Sequence, residues 1–472
     1  MDLIKEIERN SRSVPLLELD NSFIPAVLWN KEYSRRAQKD AGQRLISISI
    51  SRAGGKSLYG FNKILLPDNA DNFEANYKYV ERYCKFILWQ VGGNRIRIFG
   101  ADEITKELQF AYSRTGNRSF DNYFIGSKVY GGAIHFESLK KIETHEDCKE
   151  RESTFLGRNL EGCRIGFDLG GSDRKVVAMI DGEIVFSEEV RWNPYFESDW
   201  NYHYDGIQNS IERARKHLPR LDSIGGSAAG IYVDNEVRAA SLFRGISQDD
   251  FKNHVRDLFK NIQKRWGVPM EVVNDGEVSA LAGSMSLNKN LIMGISLGTS
   301  QAVGYINHKG QILNWLNELA FAPVDYALDA AIDEWSGDRG CGAQYFSQQA
   351  VDRLIDSTNL EMNQDLELPE KLVIVQEAVD NGNDEACKIF ETIGVYLGYA
   401  IAHYREFYNF ENIMILGRVT SGKGGELILT HAKKVLEFEF PSIEKNLSFT
   451  VPIDSERRNG QARAAASLPE IE

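Results

Sequence analysis

The sequence predicts an α/β protein made of two related lobes, preceded by a separate α/β module. Three observations predict it. RIGFDLGGSDRKVVAMI at 164–180 reads as a strand, a paired-glycine turn and a second strand, with Ile165, Phe167, Val176, Ala178 and Ile180 alternating as a half-buried hairpin does. The same theme restarts at 291–306, where LIMGISL and QAVGYI flank Gly298, Thr299 and Ser300. Amphipathic helices and short apolar strands then follow each hairpin, the order that builds a layered α/β unit. Two halves that open alike imply an internal duplication with the active cleft between them.

Residues 1–40 are polar and mixed, with a short helix over 2–11. LISISIS at 45–51 alternates strictly, turns at 53–56 and returns over 57–66, which makes a hairpin. Residues 72–91 have helical periodicity, with Tyr77, Val80, Tyr83, Cys84, Ile87 and Leu88 on one face, and Gly92 and Gly93 end the helix. A strand at 95–99 (RIRIF), a helix over 102–113 and a strand at 134–139 complete the module, and the charged run at 144–158 reads as a linker. Residues 1–155 are therefore an N-terminal α/β extension of domain size. It is read as an unrelated cap in preference to a degenerate copy of the half-domain that opens at Arg164.

The first lobe is expected over 160–286. Its hairpin strands run to 190, a helix covers 205–217, and a strand near 221–227 leads into the small-residue loop and hairpin SAAGIYVDNEVRAAS. A helix at 248–266 turns Phe251, Val255, Leu258, Phe259 and Ile262 inward, and the buried strand VPMEVV ends in Asn274, Asp275 and Gly276 before a helix of small residues. The second lobe is expected over 287–457, with a further strand at 311–315, helices at 341–357, 366–380, 384–407 and 426–436, and a strand at 413–416. An alanine-rich helix at 458–468 is expected to return to the first lobe.

Composition limits the function. A net charge of −13 argues against a nucleic-acid-binding surface. Cys84, Cys148, Cys163, Cys341 and Cys387 are scattered, with no CxxC, which suits a reducing compartment and gives neither a disulfide framework nor a zinc knuckle. The N-terminus is charged from the start and no apolar run is long enough to span a bilayer, so a cytoplasmic protein without membrane attachment is expected.

The first glycine turn has chemistry available. An acid just before it, Asp168, could hold magnesium, usually through water. Beyond it, the Gly170 and Gly171 backbone and the Ser172 hydroxyl could hold phosphate oxygens. The plain alternative is an ordinary hairpin turn. Matching pieces recur downstream in order: FDLGGSD, GGSAAGIYVDNEV, GVPMEVVNDGEVSALAG and SLGTSQAVGYINHKGQI. With these blocks, residues 160–472 resemble the ROK family of sugar kinases and repressors, within the actin-like, sugar-kinase, heat-shock ATPase superfamily. Residues 1–155 lie outside the resemblance.

The resemblance implies a two-lobed actin-like ATPase fold, a duplicated ribonuclease-H-like unit, and an ATP-dependent kinase acting on a hydroxyl of a hexose-like sugar or polyol. Asp275 would be the general base and Asn274 would bind sugar hydroxyls. Asp168 would organise magnesium, with Gly170, Gly171 and Ser172 on the phosphates and Gly298, Thr299 and Ser300 reaching them from the other lobe. Glu318 in NELAF and Gln344 in GCGAQYFS fall at the family's sugar-binding glutamates, and Gly417 in ILGRVTSGKGGE falls at its adenosine loop. The chain also departs from the family. Phe321 stands where a histidine is common, Cys341 is all that remains of a cysteine cluster, so no zinc is expected, and Arg418 replaces a glycine. These departures motivate two alternatives: a non-catalytic sugar-binding regulatory protein, and an ATPase coupled to a partner through residues 1–155. Retention of both Asp168 and Asp275 favours the enzyme. Self-association is a habit of the superfamily, though no surface in the sequence marks an interface.

Trp315, Trp335, Asp325 and His403 are weighed as packing or turn residues against ligand contacts. The charged loop DEWSGDRG at 333–340 is read either as solvated or as lining the cleft.

Overall fold

Strict alternation near the start of the chain produces the first sheet. In the computed structural model, which describes residues 2–13, 17–53, 55, 57–142, 155–450 and 457–471, β1 (Arg44–Ser51) pairs antiparallel with β2 (Ser57–Leu65) on one edge and with β3 (Arg95–Phe99) on the other. β4 (His135–Leu139) lies parallel to β3. The alternate residues Ile46, Ile48 and Ile50 are fully buried, and the helix Ala70–Gln90, capped by the Asn69 side chain, packs against β1. Most of the charged run expected as a linker, 143–154, lies outside the described residues.

The two later sheets repeat one plan. β5 (Cys163–Leu169) pairs antiparallel with β6 (Asp173–Ile180), which pairs with β7 (Glu183–Arg191), while β8 (Ser223–Ala228) lies parallel to β5. A two-stranded ribbon, β9 (Ile231–Val233) and β10 (Glu236–Ala239), follows, and β11 (Met270–Asn274) completes the order β11-β8-β5-β6-β7. In the third sheet β12 (Ile292–Leu297) pairs antiparallel with β13 (Gln301–Ile306) and parallel with β14 (Asn412–Leu416), and β15 (Ser448–Thr450) extends it. Hairpin first, parallel partner second: this is the duplication. β1 has antiparallel partners on both sides, so the first sheet is not a third copy.

Two expected elements differ. Residues 311–315 form no strand; Ile312 makes only isolated bridges, to Ile306 and Leu156. The helix expected from 341 begins at Gln348, where the Ser347 hydroxyl caps it by accepting the Gln349 N–H at 3.0 Å. The residues ahead of it are held in a turn against Leu319 and Gln301. The helix Ala26–Lys39 is an addition that the polar sequence conceals. The last helix, Arg457–Ala466, lies on β5, β6 and β8. It docks so closely that a Cβ on Gly225 would sit 1.7 Å from the Ala465 carbonyl oxygen.

Burial ties these parts together. One apolar cluster runs from Ile46, Ile87 and Trp89 of the N-terminal module through Leu316, Tyr345 and Phe407 of the second lobe, and takes in Ile231 and Val233 of the ribbon. The first lobe keeps its own core around Phe167, Ile211 and Phe259. Among the described residues no helix is long and apolar enough to cross a membrane.

Candidate active site

Parallel strands bring their C-terminal ends to one edge, and here that edge carries the acids. Leu169, Ala228 and Asn274 stand in one register row across β5, β8 and β11, so Asp168 and Asp275 flank a gap of roughly 10 Å set by two inter-strand spacings. Asp168 is buried at the end of β5, and its Oδ1 accepts the Ser227 hydroxyl at 2.6 Å. Burial lifts its pKa to about 6, against the Ser227 bond, and Asp275 adds to the rise.

Asn274 and Asp275 open the helix Asp275–Leu287. Asn274 is its cap: Oδ1 accepts the Gly276 N–H at 2.8 Å and Nδ2 donates to the Gly230 carbonyl at 2.8 Å. Its amide is thus already engaged on both sides, fixing the turn that presents Asp275. Burial raises the Asp275 pKa, and the Gly276 N–H holds it back. The helix runs against the second lobe: Gly304 of β13 lies so near that a Cβ would sit 2.3 Å from the Gly276 carbonyl oxygen. That approach sets the β12–β13 hairpin, and with it the Gly298-Thr299-Ser300 turn, against the helix that begins with Asp275.

Two more acids complete the cleft. Glu318 follows a short extended run in which the N–H groups of Leu316, Asn317 and Glu318 donate to the carbonyls of Val91, Gln90 and Trp89 at 2.9–3.2 Å. The N-terminal module therefore positions this residue. Glu277, two residues past Asp275, accepts the Asn317 amide at 2.7 Å. Both are pushed up to about 8, chiefly by burial, with Asp275 adding at Glu318 and Glu318 adding at Glu277. Sequence reasoning passed over Glu277, although it stands two residues from Asp275. Arg52 and Tyr130, from the module, line the same cavity as Asn274 and Glu277; nothing local in the sequence signals them.

The remaining candidates lie at the two glycine turns and at the end of β12. Gly170, Gly171 and Ser172 form the β5–β6 turn, but Tyr195 roofs it: a Cβ on Gly171 would lie 2.3 Å from the phenol oxygen. The Ser172 hydroxyl donates to Asp173 at 2.9 Å. In the second lobe Gln344 donates to Gln349 at 2.8 Å, and Gln349 reaches the Thr299 carbonyl at 3.4 Å. Gly417 takes φ 100° and sits against the end of β12, where a Cβ would lie 2.3 Å from the Leu297 carbonyl oxygen, so only glycine fits. Arg418 is exposed beside it.

Other weighed residues are structural. Asp325 accepts from the Ile24 and Ala327 N–H groups and from the Tyr345 hydroxyl. His403 packs edge-on against Phe86 and Phe407, and Trp335 is exposed. Phe321 stacks in an aromatic group with Trp89 at 4.4 Å between ring centres. The charged loop is split: Glu334, Trp335 and Arg339 are exposed, while Asp333 and Asp338 are buried, Asp338 among Arg82, Lys85 and Arg118 of the module. No group of three or more metal-ligating side chains occurs among the described residues. Asp168 alone still suits magnesium, which keeps several waters and leans on substrate phosphates.

A glucokinase of Halalkalibacterium halodurans is 24% identical over 305 residues, which are 61% of this chain and 89% of that one. An uncharacterised protein of Methanocaldococcus jannaschii is 27% identical over 108 residues, 23% of this chain, and the match spans only 25% of that protein's length. The ROK hexokinase of Thermus thermophilus superposes with a TM-score of 0.51 at 14% identity, covering 64% of this chain and 96% of that chain, which shows the shared actin-like fold. The sequence pattern of the ROK family matches residues 164–437, more than half of the chain, and the protein therefore belongs to the ROK family.

Proposed function

We infer that this chain is an ATP-dependent kinase that phosphorylates a hydroxyl of a hexose-like sugar or polyol. The observation that carries the reading is the row of acids at one cleft edge: Asp168 and Asp275 at strand ends two places apart in one sheet, with Glu318 and Glu277 beside them, between two glycine turns of duplicated origin. Phosphoryl transfer asks for in-line placement and charge neutralisation more than for covalent help. The sugar oxygen attacks the γ-phosphorus, the bond to the bridging oxygen breaks as ADP leaves, and the hydroxyl proton passes to an Asp275 oxygen. A pKa raised by burial gives that carboxylate more appetite for the proton. Protonated Glu318 and Glu277 can donate as well as accept hydrogen bonds to sugar hydroxyls. When bound, magnesium would be organised by Asp168 through water and would neutralise charge on the phosphates. The two glycine turns would cradle those phosphates from opposite lobes.

The ROK family also includes non-enzymatic repressors, and one feature favours a regulatory binder here. The Ser172 hydroxyl is spent on Asp173 and Tyr195 covers Gly171, so the first turn must rearrange to hold phosphate. Thermal stabilisation by ATP with magnesium, by a sugar panel and by each pair separates the readings, because a ligand raises the melting point by mass action. Stabilisation by nucleotide and by a sugar, with ADP release in a coupled assay, is expected. Stabilisation by a sugar and never by nucleotide would replace the kinase with the binder.

A further inference from the structure

The first glycine turn spends part of its backbone on fixing its own shape. The Gly170 N–H donates to the Asp173 carbonyl at 2.9 Å, Trp192 Nε1 donates to the Gly170 carbonyl at 2.8 Å, and the Trp192 N–H donates to the Ser172 carbonyl at 3.1 Å. The N–H groups of Gly171 and Ser172 have no acceptor among the described residues. Successive N–H groups in a tight turn form a concavity that suits an anion. The tip of the Tyr195 phenol lies over them, so near that a Cβ on Gly171 would be 2.3 Å from its oxygen. Tyr195 belongs to the turn 194–196, which packs on the turn 241–243. The buried His203 ties the two turns, its Nε2 lying 3.1 Å from the Pro194 carbonyl oxygen and 2.9 Å from that of Leu242. Arg244 follows directly and sets its guanidinium 4.3 Å from the centre of the Tyr195 ring and 5.2 Å from that of Phe196. It is exposed and forms no ion pair among the described residues. Two nearby cations are already engaged: Lys175 pairs with Asp173 at 3.3 Å, and Arg174 is buried with its Nε donating to the Ser210 hydroxyl at 2.9 Å. A turn flanked by Asp168 and Asp173 needs positive charge to receive a phosphate. A guanidinium supplies it together with paired N–H groups that fit phosphate oxygens. The turn also stands on the sheet that carries Asp275, so a phosphate held there is the one next to the accepting hydroxyl.

We propose that Arg244 binds the terminal phosphate of the nucleotide at the first glycine turn, and that Tyr195, whose phenol lies on that turn, swings aside to admit it. This rests on the sugar-kinase reading. The test is calorimetry on the full chain with magnesium, comparing a non-hydrolysable ATP analogue with ADP. Arg244→Gln should bind the analogue at least about tenfold more weakly and ADP within about threefold of the wild type, since only the analogue carries the phosphate in question. Arg244→Lys keeps the cation and should recover part of the loss. Arg191→Gln removes an exposed cation from the β7 position opposite Asp173, and should leave both affinities within about threefold. Tyr195→Ala clears the turn in advance and should bind the analogue at least as tightly as the wild type, because no rearrangement is then needed. Circular dichroism checks that each variant is folded. Unchanged binding by Arg244→Gln, equal losses for analogue and ADP, or a matching loss in Arg191→Gln would overturn the proposal and leave the kinase reading standing. So would a Tyr195→Ala variant as weak as Arg244→Gln, which would make the ring part of the turn's framework. A wild type that binds neither nucleotide would remove the kinase reading and the role of Arg244 with it.

Discussion

At the scale of the residue, a carboxylate buried beside other carboxylates keeps its proton, and this links stability to pH. Glu277 has a folded pKa of about 8, against roughly 4.3 for a free glutamate. The folded state therefore binds the proton more tightly. That contribution to stability is whole below about pH 4.3, declines as pH rises, and is gone above the folded value near 8. Glu277→Gln keeps the oxygen that accepts the Asn317 amide and cannot ionise. Its melting temperature should gain on the wild type as pH rises from 5 to 9, whereas parallel curves would mean that Glu277 does not titrate in this range. Asp275 is a different case, since the base role proposed for it needs the ionised form. Asp275→Asn should lower kcat by roughly 10²–10⁴, the usual worth of a positioned base, with sugar affinity within about tenfold, or roughly 1.4 kcal/mol. Turnover retained in that variant would take the base role from Asp275. Both residues lie in one motif that the sequence exposes, NDGE. Their raised pKa values were not legible there, because they come chiefly from burial, which only the packed fold supplies.

At the scale of the element, the helix Ala70–Gln90 does more than cover a sheet. Arg82 and Lys85 leave it on a buried face and meet Asp338, at 3.2 and 2.6 Å, while Glu81 pairs with Arg118 at 2.7 Å and Lys85 also approaches Asp121 at 3.4 Å. Cys341 lies against this group, its thiol raised by burial and so kept from being a thiolate. The ion cluster thus clamps the loop 333–341 to the module. Removing one partner leaves the others buried and uncompensated, so Lys85→Met should cost about 3–5 kcal/mol in urea unfolding. Restoration by a second change at the carboxylate left without its cation, Asp121→Asn, would confirm the coupling; a cost below about 1 kcal/mol would show the pair to be solvated. The elements themselves divide into legible and hidden ones for physical reasons. The hairpins β1–β2 and β5–β6 follow from strict alternation, which only a two-sided strand produces. The helix Ala26–Lys39 was hidden because its buried Trp29, Tyr33 and Ala37 are spaced among charges that pair on its surface. Residues 311–315 misled, since QILNW suits any extended chain and only the neighbouring edge decides whether it becomes a strand. The ion cluster was out of reach, as its partners stand some 256 positions apart.

At the scale of the molecule, the N-terminal module is welded to one lobe and touches the other. It shares a continuous core with the second lobe, while Ile231 and Val233, from the ribbon of the first lobe, enter the same cluster. Arg52 reaches across to Asn314, and Tyr130 faces the ribbon across the cavity. A kinase of two lobes is expected to close on its substrates to exclude water, but here the side of the cleft that carries Glu318 is tied down before any ligand arrives. Its three donated N–H groups, at Leu316, Asn317 and Glu318, end on carbonyls of the module, so opening this side would break hydrogen bonds and expose core. Closure is therefore left to the two glycine turns proposed to bind phosphate, which their hairpins and a few bonds from nearby segments hold: Trp192 Nε1 donates to the Gly170 carbonyl at 2.8 Å, and the Gln348 N–H to the Gly298 carbonyl at 2.9 Å. Hydrogen exchange on the full chain distinguishes the two sides. Adding ATP, magnesium and a bound sugar should slow exchange in 168–173 and 298–300, and leave 316–318 as protected as in the free protein. If 316–318 exchanges freely without ligand and becomes protected on binding, the module is a lid that docks with substrate, and the welded arrangement describes only the closed state.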